Sequence, residues 1–355
     1  MNMNFCRGIT VFLLCAALLL SLSGCAGAEP KEYYFFAMDT VVTLRLIPKP
    51  GADQARMDEI AARCEGILIE AEREMSAKDD DTPVSRFNAG EDAALVLTPL
   101  IGEVVAVSLD VSRKTGGAFD CTLGALVELW NVSGGGPVPA QEDIREALSH
   151  TGEGCFSFSA DEVKKTDPDA RLDFGGVGKG AAAALLVDYL NSPEAGETLA
   201  GAVVSLGGNV ALAGSKPDGS PYMVGVRDPD DPGGLIGTLA LESGFVAVSG
   251  DYERYFEENG VRYHHILGGK TGVPAKSGLR SAAAVASDGA LADALSTALF
   301  VLGEDGALAL YESGLYDFEA VLVTDDGRVT ATPGLGGVFR LTNGNYVLSE
   351  TSSGS

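Results

Sequence analysis

The chain has 355 residues, 46% of them hydrophobic, with 25 basic against 50 acidic side chains and a formal net charge of −25 at pH 7. So acidic a surface repels nucleic acid, and any polyphosphate ligand must be met by a local device, a metal ion or helix N-termini, rather than by a general positive field. The length suits one large domain or two small ones, and 46 glycines, many paired between apolar runs, predict numerous tight turns.

Residues 1–24 carry one positive charge, Arg7, an apolar run from Ile9 to Leu20 and a small-residue end. That run is too short to span a bilayer comfortably and reads as an export signal. Leu22-Ser23-Gly24-Cys25 resembles the bacterial lipobox, which implies acylation of Cys25 and a lipid anchor on the extracytoplasmic side of a bacterial cell membrane. Without Arg7, 24 basic and 50 acidic residues remain, a charge of −26. Residues 25–32 read as a tether and 33–350 as the folded domain. Cys64, Cys121 and Cys155, odd in number and widely spaced, form neither a disulfide framework nor a CxxC site and are expected as small buried residues.

The aromatic and β-branched stretch 33–47 predicts a strand. From Asp53 to Met75, helical spacing of Met57, Ile60, Ala61, Cys64 and Leu68 predicts a helix packed on it. Thr98-Pro99 starts a second helix that should run to Gly116-Gly117. Past Trp130, residues 133–143 read as an exposed loop. In 170–192 an apolar strand should end at Asp173, turn through glycines and open a helix near Lys179. Such a turn aims backbone N–H groups at one point, which suits an anion, and it suits close helix packing over glycine equally well.

Residues 202–208 predict a buried strand ending in a second glycine pair, followed by strand-like YMVGVRDP and SGFVAVSGDYERYF. SAAAVASDGALADALSTALFVLG supplies a strand, a turn at 287–289 and a helix to Gly303. A hairpin turned at Asp326-Gly327 closes the pattern.

Two stretches bear on chemistry. YHHILGGKTGVPA, 263–275, holds Gly-Lys-Thr, but a P-loop needs glycine five positions before Gly269, where His264 stands, so that motif is excluded. On the apolar helix, Asp293 and Thr297 are four apart and share a face. Hard oxygens in that arrangement suit Mg²⁺; a Thr297 bond to its own helix and a helix-start role for Asp293 remain the structural alternatives.

Taken in order, several elements resemble those of the ApbE family of FAD:protein FMN transferases. They are Met38-Asp39-Thr40, Ser76 through VSRFN ending at Asn88, GGAFDCT at 116–122, LDFGGVGKG at 172–180 and SLGGN at 205–209, then VSGDYERYF, YHHI and ADALSTALFVLG. The resemblance spans residues 33–303. It implies an α+β fold related to T-folds, with antiparallel sheets and packed helices. It also implies an Mg²⁺-dependent transferase that takes FAD as substrate, joins FMN through its phosphate to a threonine of an exported flavoprotein and releases AMP. FMN-binding subunits of membrane electron-transport complexes are the acceptors implied.

By the same resemblance, Asp293, Thr297 and a Gly176 carbonyl hold the metal. Met38, Ala118, Phe119, Asp120, Asp173, Lys179 and Leu267 contact the flavin nucleotide. A lysine at a helix start opposes the dipole, which favours a bound anion near Lys179. His265 is the expected base toward the acceptor hydroxyl, with a structural histidine bonding a loop carbonyl as the alternative, and strand alternation turns His264 to the other face. The chain departs from the family at Gly268-Gly269, where Asp-Pro is usual, and at Ala77, where an aromatic is common. A FAD pyrophosphatase and a non-catalytic lipid-anchored flavin-binding protein remain the alternatives.

Overall fold

The computed structural model describes residues 29–349, so residues 1–24, expected as an export signal, and Cys25 lie outside the described residues. The run that reads as one strand over 33–47 folds as two, β1 (Lys31–Ala37) and β2 (Thr40–Pro48), paired antiparallel. The break falls at Met38 and Asp39, with φ of 55° and 59°, a region that residues other than glycine seldom enter. β1 also starts inside the segment assigned to the tether.

α1 (Gln54–Met75) begins at Asp53, whose side chain accepts from Ala55 N–H, and buries all five of the apolar residues that predicted it. α2 (Pro99–Thr115) has both its caps: Thr98 accepts from Ile101 N–H, and Gly116 stops it in the left-handed conformation. The expected exposed loop at 133–143 gives way to a helix at Gln141. No regular strand forms before Asp173; Arg171 makes a single bridge to Leu123. α3 (Gly178–Asn191) and α4 (Gly289–Glu312) follow the expected pattern, except that α4 passes its expected stop. Gly303 kinks the chain with φ of 75° and the helix resumes to Glu312.

Nine strands form the main sheet, adjacent in chain order: β1, β2, β3 (Leu199–Leu206), β4 (Asn209–Gly214), β5 (Gly244–Gly250), β6 (Leu279–Ala286), β7 (Glu319–Thr324), β8 (Arg328–Ala331) and β9 (Val347–Ser349). Every neighbouring pair is antiparallel except β8 and β9. The helices cover one face in the largest apolar cluster, which includes Leu44, Ile60, Leu186, Leu295 and Phe300. On the other face a three-stranded sheet (Tyr222–Arg227, Leu235–Leu241, Phe339–Leu341) buries Val224, Ile236 and Leu239 against Leu212, Val246 and Val323. The fold is thus α+β, with antiparallel sheets and packed helices.

A third cluster, Leu123, Leu126, Trp130, Ile144, Phe256 and Leu267, joins the 119–150 region to the histidine segment. Trp130 is buried, stacks on Tyr263, and donates its Nε1–H to the Gly272 carbonyl at 2.7 Å. Each such side chain contributes about 1.5–3 kcal/mol by leaving water, and the bond keeps the indole N–H satisfied. Cys64 and Cys121 are buried, and burial pushes each thiol up to about 12. Cys155 is only half-buried and donates to the Thr151 carbonyl, contrary to the expectation of burial.

Candidate active site

The eleven site residues expected within the described chain line one cleft of about 380 Å³: Met38, Ala118, Phe119, Asp120, Asp173, Gly176, Lys179, His265, Leu267, Asp293 and Thr297. They come from five separate stretches. Each is held by local bonds that follow from its sequence.

The first lip is the β1–β2 turn, where Asp39 pairs with Lys78 at 3.2 Å. The second follows the glycine stop of α2. There Asp120 accepts from the N–H and the hydroxyl of Thr122, at 2.8 and 2.7 Å. Burial raises the Asp120 pKa, and the two Thr122 bonds work against that rise.

The glycine turn before α3 is fixed from behind. Asn88, buried, accepts from Leu172 N–H at 2.9 Å and donates to the Leu172 carbonyl at 2.8 Å. Asp173 accepts from Gly175 N–H at 2.8 Å, and Lys179 reaches back to the Gly175 carbonyl at 3.3 Å. A side chain on Gly176 would fill the gap between the Phe119 ring, 3.0 Å away, and the Thr297 hydroxyl, 3.4 Å away. One residue group on, the glycines serve packing. A Cβ on Gly180 would lie 2.0 Å from the Gly289 carbonyl oxygen, so α3 and α4 meet backbone to backbone. Of the two roles that the glycine stretch suggested, close helix packing is thus seen at Gly180, while Gly176 keeps a gap on the cleft side.

That close crossing sets the Asp293 carboxylate. It is 3% exposed, its Oδ2 accepts from Gly180 N–H at 2.9 Å, and it has no ion-pair partner among the described residues. Thr297, one turn on, shares a hydroxyl contact of 3.1 Å with Ser249 rather than bonding a helix carbonyl. Ser249 also meets Ser296 at 2.8 Å. A buried carboxylate with no basic side chain paired to it among the described residues, beside a hydroxyl and a glycine gap, is an oxygen donor set that fits a hard divalent ion.

The two histidines separate as alternation requires. His264 is buried edge-on against Phe300; its Nδ1 accepts from Ile266 N–H, so Nε2–H donates to the Ala275 carbonyl at 2.9 Å. His265 lines the cleft, and its Nδ1–H donates to the Arg254 carbonyl at 3.2 Å, leaving Nε2 with a free lone pair. Burial first, then the nearby Arg254 charge, pushes the His265 pKa down to about 3, so the ring is neutral at physiological pH. Gly-Lys-Thr forms a plain turn, in which the Gly268 carbonyl accepts from Thr271 and Gly272 N–H, and neither Lys270 nor Thr271 lines the cleft.

Sequence reasoning missed Lys78, Ser249, Glu253 and Arg254 on the cleft wall. Three of these lie in VSGDYERYF, a stretch that reads in sequence as a strand and as part of the family resemblance. Arg254 holds His265 through its backbone carbonyl, which leaves no residue-type signal. The stretch is itself clamped, because Arg280 binds both carboxylate oxygens of Asp251, at 3.1 and 2.9 Å.

The sequence matches the ApbE family over residues 38–322. A Treponema pallidum protein named FAD:protein FMN transferase is 31% identical over 368 residues, covering 97% of each chain. One of the same name from Vibrio cholerae is 29% identical over 89% of this chain and 95% of its own. The solved ApbE protein of Thermotoga maritima superposes with a TM-score of 0.76 at 31% identity, covering 88% of this chain and 100% of that one. The flavin transferase ApbE of Vibrio cholerae gives 0.76 at 26% identity, over 87% and 99%. With its cleft assembled from the motif-bearing stretches and its whole fold shared, this chain is a member of the ApbE family.

Proposed function

We propose that the chain is a FAD:protein FMN transferase that moves the FMN half of FAD onto a threonine hydroxyl of an exported flavoprotein, releasing AMP. The relatives' names support the reaction class. The observation that carries the reading is the meeting, in one cleft, of a neutral imidazole whose Nε2 has no hydrogen bond and a buried carboxylate with no paired basic side chain, both among the described residues. Phosphoryl transfer asks for in-line placement and charge neutralisation more than for covalent help.

Asp293, Thr297 and the Gly176 backbone are the residues that would hold Mg²⁺. When bound, the ion supplies positive charge against the diphosphate oxygens, which the acidic chain otherwise lacks. The chain's own residues do the rest. His265 Nε2 takes the proton from the acceptor hydroxyl as the hydroxyl oxygen bonds to the FMN phosphorus and the bond to AMP breaks. The Arg254 carbonyl holds the imidazole in the tautomer this needs. Lys179 and the N–H groups of the glycine turn face the diphosphate, and Phe119 and Met38 supply apolar surface for the flavin. Binding of an anion offsets Arg254 and Lys179, two of the charges that depress the His265 pKa.

In the cell we place the enzyme on the extracytoplasmic side of a bacterial membrane, held by acylated Cys25 after removal of residues 1–24. The lipobox-like Leu22-Ser23-Gly24-Cys25 supports this. The test is incubation with FAD, Mg²⁺ and a co-expressed exported flavoprotein subunit, read by flavin fluorescence in a denaturing gel. Flavin that stays with the acceptor supports transfer. Free FMN and AMP with no labelled acceptor would point to a pyrophosphatase instead.

A further inference from the structure

Three of the most exposed large apolar side chains share one face of the β1–β2 hairpin. Tyr34, Phe36 and Val41 are 65%, 68% and 61% exposed. Tyr34 and Phe36 stand two apart on β1, and Val41 is the direct cross-strand partner of Phe36, so all three point the same way. The alternate residues Tyr33, Phe35 and Val42 face the helix-side core. An outward sheet face left to water is ordinarily polar. Over the rest of the main sheet this face is covered by the three-stranded sheet, but the hairpin contributes only Ile47 to that contact. The patch therefore sits on the uncovered end of the sheet, at its free edge.

Its position relates it to the cleft. Met38, Asp39 and Thr40, which join β1 to β2, line the cleft. Val41 is the next residue, Phe36 is two residues away, and Tyr34 is four residues away, about 13 Å along a strand. A protein that presents a hydroxyl inside the cleft buries roughly 800 Å² per partner, a disc of about 16 Å radius. The patch lies within that radius of the cleft lip. Aromatic side chains near the centre of an interface are the kind that dominate its affinity.

We propose that the Tyr34–Phe36–Val41 face is the docking surface for the folded acceptor protein, which lays a complementary apolar surface on it while its target hydroxyl enters past the Met38–Asp39 lip. The proposal rests on the transfer reading above. A strongly anionic bilayer is disfavoured by the chain's charge of −25, although beside the patch Glu32 lies opposite Arg45 and Asp39 pairs with Lys78.

The test is the double variant Tyr34→Ser/Phe36→Ser, checked for an unchanged thermal transition and assayed with the acceptor that gains FMN from the wild-type protein. KM for the acceptor is expected to rise roughly tenfold or more, with KM for FAD and kcat at saturating acceptor unchanged. Tyr34→Phe/Phe36→Leu, which keeps the apolar surface, is expected to retain most of the wild-type KM. An unchanged acceptor KM in the serine variant overturns the proposal. So does an unchanged acceptor KM accompanied by loss of phosphatidylcholine-vesicle binding or of a dimer in sedimentation velocity, which would assign the patch to lipid or to a second copy. If the wild-type protein labels no acceptor at all, the transfer reading itself fails and the docking surface with it.

Discussion

Gly180→Ala tests the crossing on which the cleft floor depends. The added Cβ would stand 2.0 Å from the Gly289 carbonyl oxygen and 2.6 Å from the Asp293 Cβ, where ordinary contact begins at 3.4 Å. The helices must separate by roughly 1.4 Å at that point, and the obstacle is backbone, which no rotamer change relieves. Overpacking of this kind costs about 1–3 kcal/mol. Alanine recovers at most about 1 kcal/mol over glycine in a helix, and less in a first turn. A net loss of about 1–2 kcal/mol lowers the melting temperature by about 2–3 °C in a chain this size. The same shift moves the Asp293 carboxylate off the Gly180 N–H that fixes it, and a displacement near 1 Å at a reacting centre costs on the order of 100-fold in rate. Thermal unfolding by circular dichroism and a flavin-transfer assay read the two effects. A melting temperature within 1 °C of wild type together with full activity would refute the close α3–α4 contact and its role in placing Asp293.

Asn88→Ala removes the amide that holds both polar groups of Leu172. Leaving two buried backbone groups unpaired should cost about 2–4 kcal/mol by chemical denaturation and weaken FAD binding through the loosened glycine turn. Asp293→Asn keeps an acceptor for Gly180 N–H while removing a buried charge. In metal-free buffer its melting temperature should not fall below wild type, whereas flavin transfer should fall at least 100-fold or so. His150 and Asp167 form a partly exposed pair at 2.8 Å, in which the His150 pKa is raised and the Asp167 pKa lowered, each mainly by their shared bond. The His150 contribution to stability is fully present below 6.5 and is lost as pH rises through its raised pKa. The Asp167 contribution is present above 3.8 and is lost as pH falls through its lowered pKa. The stability difference between wild type and His150→Gln, below about 1 kcal/mol, should therefore be largest between those limits and vanish on the alkaline side. A difference that grows above pH 8 would contradict it.

Legibility in the sequence followed the physics of each element. α1 and α2 carried their boundaries openly, because Asp53, Thr98-Pro99 and Gly116 are the residue types that capping geometry demands. The β1–β2 turn carried no such mark: Met38 and Asp39 adopt left-handed conformations without glycine, inside a run of strand formers. The passage of α4 beyond Gly303 was hidden by a glycine that kinks rather than ends the helix. In the cleft, the residues whose side-chain chemistry would serve the proposed reaction, His265, Asp293, Thr297 and Lys179, were legible from the resemblance and, for Asp293 and Thr297, from spacing. Those that act through backbone or support, the Arg254 carbonyl, the Asn88 clamp on Leu172 and the Arg280 grip on Asp251, were not, since a carbonyl looks the same on every residue.

In the proposed reaction FMN changes hands in the cleft between the glycine turn, Asp293 and His265. Intact-mass measurement of a co-expressed acceptor, with FAD and Mg²⁺ supplied, tests this most directly. The acceptor should gain the mass of one FMN with the wild-type protein and none with Asp293→Ala or His265→Ala. Full labelling by both variants would contradict it.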